Sequence, residues 1–320
     1  MNISRGDRHL TYPRKESSGV ERNVTAGLAR LKGVILLGGS LRPTPLAKAV
    51  GRSILDLPVE TNTSVLELWC DHISSLAKEL GGQHFDARLL LDSEAPFPTT
   101  RMDCESQIEI GRDPQAYRGT AGILRDLAES YADSDLLLVA SAGQVLLAPL
   151  AHLTRVLAES AADVGIISNP DGTPASLFLV KCGALRDIAR VGFIDFKEQA
   201  LPRIAQSHFV KPITWNQLFS VPIRTADGYL TALRHHRNVQ RGIDQLNRVF
   251  SEEWSAAFSV VESGARVDSS AHLHDSVVLK GGRVEEGAAV FGSIICAGGI
   301  VRPGQQVIGE MVMEETSMRC

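Results

Sequence analysis

The residues best suited to chemistry stand where an apolar run, Val34-Ile35-Leu36-Leu37, breaks into Gly38-Gly39-Ser40-Leu41-Arg42-Pro43. Two glycines let a chain turn through positive φ and aim backbone N–H groups at an anion, and an arginine adds a two-pronged donor. The pattern reads as a buried first strand delivering a phosphate-binding turn through Gly38, Gly39, Ser40 and Arg42. Taken alone, a Gly-Gly pair reads more readily as an ordinary strand-to-loop turn. Arg52 supplies a second guanidinium shortly afterwards, and Gly119-Thr120-Ala121-Gly122 places small residues at the mouth of a helix, where backbone can approach a ligand. Other constellations are thinner. Ser40 and Ser141 lack a His/Asp pattern. His235 and His236, flanked by Arg234 and Arg237, are helix neighbours about 100° apart and read as a solvated face. His272 and His274 share a face without a carboxylate or cysteine to complete a metal site, and Trp215 and Trp254 read as packing residues.

The elements that must position these residues follow from hydropathy patterning. Apolar strand-like runs (Val34–Leu37, Phe85–Leu91, Asp135–Ala140, Val164–Ser168, Ala175–Val180) alternate with helical stretches (Leu66–Leu80, Arg118–Tyr131, Pro149–Ala161). Such alternation predicts an α/β fold, a Rossmann-like mixed and mainly parallel sheet with helices on both faces. The 320 residues suffice for two units. With 22% charged residues and a formal charge of −4, the chain shows no surface for nucleic acid, and its apolar runs are too short for a membrane span. Residues 1–29 read as a disordered extension whose arginines leave open an acidic partner. Cys70, Cys104, Cys182, Cys296 and Cys320 form no C-x-x-C pair, which predicts reduced thiols and a cytoplasmic protein.

The tail carries a second pattern. Val267, Leu273, Leu279, Val284, Val290, Cys296, Val301 and Val307 recur at steps of six with two steps of five. Hexad spacing predicts a left-handed parallel β-helix over residues 262–310, between two and three coils, with each of these residues pointing inward. An exposed, unpaired coil end makes self-association plausible.

The glycine turn, the Ser64-Val65-Leu66-Glu67 phrase, Gly119-Thr120-Ala121-Gly122, Asp195-Phe196-Lys197 through Leu201-Pro202, and the hexad tail together resemble the sugar-1-phosphate nucleotidyltransferases, in the family's order. The resemblance implies a nucleotidyltransferase domain over residues 30–250, with Gly119–Gly122 against a base and ribose and the Asp195–Pro202 helix in a structural role. It also implies Mg²⁺ held by two aspartates, and this is where the chain departs from the pattern. The family's Gly-Asp falls on Gly143-Gln144, and its second aspartate falls on Pro222 by the spacing of Thr225, Tyr229 and Leu230. The glycine loop is shorter, and Arg52 stands where a lysine would. The phosphate charge is then left to Arg42, Arg52 and Arg224.

The expectation is a protein that binds a nucleoside triphosphate or sugar nucleotide with weak or no catalysis, as a regulatory or scaffolding subunit, in a homo-oligomer or with a related catalytic subunit. The alternative is an active Mg²⁺-dependent enzyme making sugar nucleotides with pyrophosphate release, recruiting Asp171 or Asp227 to the metal. Acyl transfer by the β-helix is the least favoured class, because two to three coils are too few.

Overall fold

The computed structural model describes residues 27–38, 44–92, 94–100, 108–112, 118–169, 174–241 and 258–314. Among these, the first unit is built on strands β1 (Leu31–Leu37), β2 (Pro58–Glu60), β3 (Thr63–Ser64), β4 (Asp86–Leu91), β5 (Ile108–Arg112), β6 (Leu136–Ser141), β7 (Gln144–Leu146), β8 (Val164–Ser168), β9 (Pro174–Lys181), β10 (Val210–Thr214) and β11 (Ser220–Pro222). Seven of them form one sheet in the order β10-β8-β9-β6-β1-β4-β5. Every neighbouring pair is parallel except those made by β9, which runs antiparallel to both β6 and β8. The sheet is therefore mixed and mainly parallel.

Alternation along the strands feeds two cores. Val34, Leu36, Leu138 and Leu179 face one side, where helices Val65–Glu79 and Leu150–Glu159 pack, whereas Ile35, Leu137, Val139, Phe178 and Val180 face the other, under helix Gly119–Ala128. Central strands buried on both faces read as continuous apolar runs, which is why Leu136-Leu137-Leu138-Val139-Ala140 carries no period of two. Helix Val65–Glu79 shows how local sequence sets an element. Ser64 accepts from the Glu67 N–H at 3.2 Å while the Glu67 carboxylate accepts from the Ser64 N–H at 2.6 Å, a reciprocal cap. Val65, Leu66, Trp69, Cys70, Ile73 and Leu76 then bury one stripe.

The C-terminal part forms three ladders of parallel strands, compatible with a β-helix. Each strand lies beside the one 17 residues later: Ser259 beside Ser276, Arg266 beside Arg283, His272 beside Ala289. Two steps of six and one of five give that repeat. The stack is taller than two to three coils of the sequence reading, since one ladder holds four strands and begins at Ser259.

The sequence also misplaces one row. Leu279 and Cys296 do not point inward. Val278 and Ile295 fill the coil interior with Val284, Val290, Val301 and Val307, while Val277, Leu279, Ile294 and Cys296 join the core of the α/β unit. The five-residue step falls one corner earlier than the aliphatic pattern suggests, so the outward row on this face is apolar for docking. No helix among the described residues is long and apolar enough to cross a membrane.

Candidate functional site

Strand β1 sits between β4 and β6, and the three parallel strands end together. Leu37 is level with Leu90 and Ser141, the Gly38 N–H donates to the Leu90 carbonyl at 2.8 Å, and the Ala142 N–H donates to that of Leu37 at 2.9 Å. A strand order that reverses about β1 opens a crevice at these carboxyl ends, the usual place for a ligand in such sheets. Gly38 stands at its floor for a different reason from the one its sequence suggests. It is not among the positive-φ glycines, and a Cβ there would come within 2.6 Å of Leu89 Cδ1 and 2.9 Å of Leu91 Cδ2. Close packing against β4 demands the glycine, not a left-handed turn. Gly39, Ser40 and Arg42 lie outside the described residues.

Gly119, Thr120, Ala121 and Gly122 open their helix against protein. Gly119 has φ of 71°, and a Cβ there would meet the Ile194 carbonyl oxygen at 2.4 Å. The Ala121 N–H donates to that oxygen at 3.0 Å, the Thr120 hydroxyl accepts from the Phe196 N–H at 3.0 Å, and Ala121 and Gly122 are buried. The element clamps the segment running into Asp195 and Phe196, and only Gly119 and Thr120 keep surface for a ligand.

Arg52 is likewise engaged elsewhere. Its two terminal nitrogens reach the two Glu262 oxygens at 2.8 and 2.7 Å, joining the α/β unit to the coil. Burial works against its charge, and the Glu262 carboxylate outweighs burial and holds the guanidinium above its ordinary value. With its fork occupied, Arg52 belongs to the junction and not to a phosphate site. The basic stretch Arg234–Arg237 is a solvated face only in part: Arg237 is exposed, whereas Arg234 pairs with Asp275 of the coil at 2.7 Å and His236 lies 3.4 Å from Glu60.

The positions that the resemblance equates with the metal aspartates do come together. Strands β7 and β11 pair antiparallel with Gln144 opposite Pro222, and the Ile223 N–H donates to the Gly143 carbonyl at 3.0 Å. Gln144 is 4% exposed and its amide donates to the Ser176 carbonyl at 3.4 Å. A donating amide and a proline ring provide no anionic oxygen, so this pair does not fit Mg²⁺. Among the described residues no group of three or more His, Cys, Asp or Glu side chains is placed to hold a metal ion. Asp227 is exposed on the first turn of helix Ala226–Gln240, and Asp171 lies outside the described residues.

Lys197 is a residue to which sequence reasoning gave no role of its own, having assigned its segment a structural role. Asp195 does perform that role, accepting from the Lys197 and Glu198 N–H groups at 2.8 and 2.9 Å, while Phe196 stacks on Phe178 at 4.2 Å. The Lys197 side chain, however, reaches strand β9 and donates to the Ser176 hydroxyl at 3.1 Å. Burial lowers its pKa, the nearby Arg224 charge adds to this, and Asp195 opposes both. No periodicity marks such a lysine. Only its company in space does.

No family model and no curated protein matches the sequence. Among solved structures, HddC from Yersinia pseudotuberculosis is similar at 13% identity, over 63% of this chain and 98% of its own, with a TM-score of 0.43. A homologue, from Mycobacterium sp. strain JC1, of Mycobacterium tuberculosis Rv0371c is similar at 17% identity, over 67% of this chain and 98% of its own, with a TM-score of 0.44. Likeness at this level names neither substrate nor activity, and the fold described above stands on its own strand order.

Proposed function

We propose that this protein is a nucleotidyltransferase-like protein that binds a nucleotide or sugar nucleotide with weak or no catalysis, serving as a regulatory or scaffolding subunit. The observation that carries the reading is the pairing of Gln144 with Pro222 across β7 and β11. In the family that the sequence resembles, two carboxylates at such positions hold the ion that offsets phosphate charge during transfer. An amide and a proline in their place keep the architecture and remove the charge. The carboxyl ends of β1, β4 and β6, where the strand order reverses, are where sheets of this kind usually take a ligand, which supports the reading. The coil offers a surface for a second copy or a related catalytic subunit, and the buried free thiols of Cys182 and Cys296 suit a cytoplasmic setting.

The test is pyrophosphate release from a panel of nucleoside triphosphates and sugar 1-phosphates with Mg²⁺, with thermal stabilisation followed in the same wells. Stabilisation by one base or sugar nucleotide without turnover is the expected result. Sustained Mg²⁺-dependent turnover would overturn the reading and direct attention to Asp171 and Asp227 as replacement ligands. Neither signal would leave a scaffold that binds no nucleotide.

A further inference from the structure

A cavity of about 280 Å³ lies where three elements meet: the β2–β3 hairpin, the C-terminal half of helix Ala226–Gln240 and the first strand of the coil, Ser259–Val261. That size is near the lower end for small-molecule sites. Its walls are fastened to one another. The Tyr229 hydroxyl donates to the Pro58 carbonyl and ties helix to hairpin, while Asp275 accepts from Arg234 at 2.7 Å and from the Phe258 N–H at 3.1 Å and ties helix to coil. None of the lining residues stands at the carboxyl ends of β1, β4 and β6, so the cavity is independent of the nucleotide reading.

The cavity brings together two opposite charges that do not meet. Glu60 and Arg237 both line it, yet no ion pair joins them, and Arg237 makes none with any other described residue. Glu60 uses Oε1 for the His236 Nε2 at 3.4 Å and for the Gln240 amide, which leaves Oε2 without a partner among the described residues. Burial lowers the His236 pKa, with Glu60 opposing this and Arg237 adding to it, so the imidazole is a neutral donor near pH 7. One carboxylate and one guanidinium therefore set the charge of the site. A simple anion would meet Glu60 and a simple cation would meet Arg237, whereas a neutral polyol would strip water from both without replacing it. A zwitterion offsets both. The remaining wall is apolar, since Leu233, Phe258 and Val260 are buried there.

We propose that this cavity binds a free α-amino acid with an aliphatic side chain, its carboxylate on Arg237, its ammonium on Glu60 and its side chain against Leu233, Phe258 and Val260. Because hairpin, helix and coil all contribute, an occupied cavity stiffens the joint between the two units.

The experiment is calorimetric titration of the full-length chain with L-leucine, L-valine and L-alanine, and with isocaproate, isopentylamine and glucose as single-charge and neutral probes. At least one of the amino acids is expected to bind, with the acid and the amine at least about tenfold weaker. Arg237→Ala and Glu60→Gln are each expected to weaken amino-acid binding about tenfold. Arg237 is exposed and unpaired, so its variant tests the site even where Glu60→Gln disturbs the hairpin. Equal binding of the acid or the amine, tighter binding of glucose, amino-acid binding that neither variant weakens, or no binding by any amino acid overturns the proposal.

Discussion

At the scale of single residues, chemistry is set less by residue type than by what surrounds it. Arg52 and Arg224 are both arginines of the α/β unit, yet one is consumed by Glu262 and the other stands exposed. His72 makes the same point for pH. It lies on helix Val65–Glu79, and burial lowers its pKa to about 4, with the positive potential of His236 adding to the shift and the Leu146 backbone opposing it. The unfolded chain takes up this proton near the ordinary histidine value, whereas the folded chain refuses it until near pH 4. Stability from a neutral His72 is therefore intact above about pH 6.5 and lost as pH falls toward 4, by about 3 kcal/mol in full. Replacing His72 by leucine is expected to flatten the fall in unfolding free energy across that window, measured by urea denaturation at each pH. An unchanged slope would show that other groups carry the acid response.

At the scale of elements, glycines separate into those that relieve strain and those that permit contact. Gly119 needs its residue type twice over, through a φ of 71° and through the 2.4 Å approach of the Ile194 carbonyl, whereas Gly51, with φ of 67°, ends helix Pro45–Val50 in open space. Gly51→Ala is expected to cost about 1 kcal/mol, the left-handed penalty alone. Gly119→Ala adds displacement of the Ile194–Phe196 segment, for about 3 kcal/mol in total. Chemical denaturation of the two variants decides this, and equal costs would remove the clamp from the account. The same clamp braces Asp195 and Phe196, so an element that looks like a nucleotide loop in sequence is tied to a neighbouring segment. The coil shows the complementary case. Its 17-residue repeat was legible in the spacing of its aliphatic residues, but its phase was not, because Val278 and Leu279 are adjacent and equally apolar.

At the scale of the whole molecule, the coil is part of the α/β unit's core. Val260, Val277, Leu279, Ile294 and Cys296 close one side of it, and Arg52–Glu262 and Arg234–Asp275 pin the joint. Glu262 also accepts from the Lys280 N–H at 2.7 Å, so its carboxylate is preset within the coil before Arg52 arrives. A double-mutant cycle on Arg52→Ala and Glu262→Ala is expected to give a coupling of about 1–2 kcal/mol by thermal or chemical unfolding, above the value for exposed pairs because both partners are mostly buried. Additive losses would reduce the pair to a surface contact. The sequence by itself determined the alternation that makes a mixed sheet with two cores, the capped helix after Ser64, and the period of the coil, because each is a local pattern of apolar spacing and caps. Only the tertiary structure decided that Gln144 faces Pro222, that Arg52 turns to Glu262, that Gly119–Gly122 clamps a neighbouring segment, and that Lys197 meets Ser176. These are contacts between residues far apart in the chain, and no periodicity records which partner a charge or a glycine will meet once the sheet has closed.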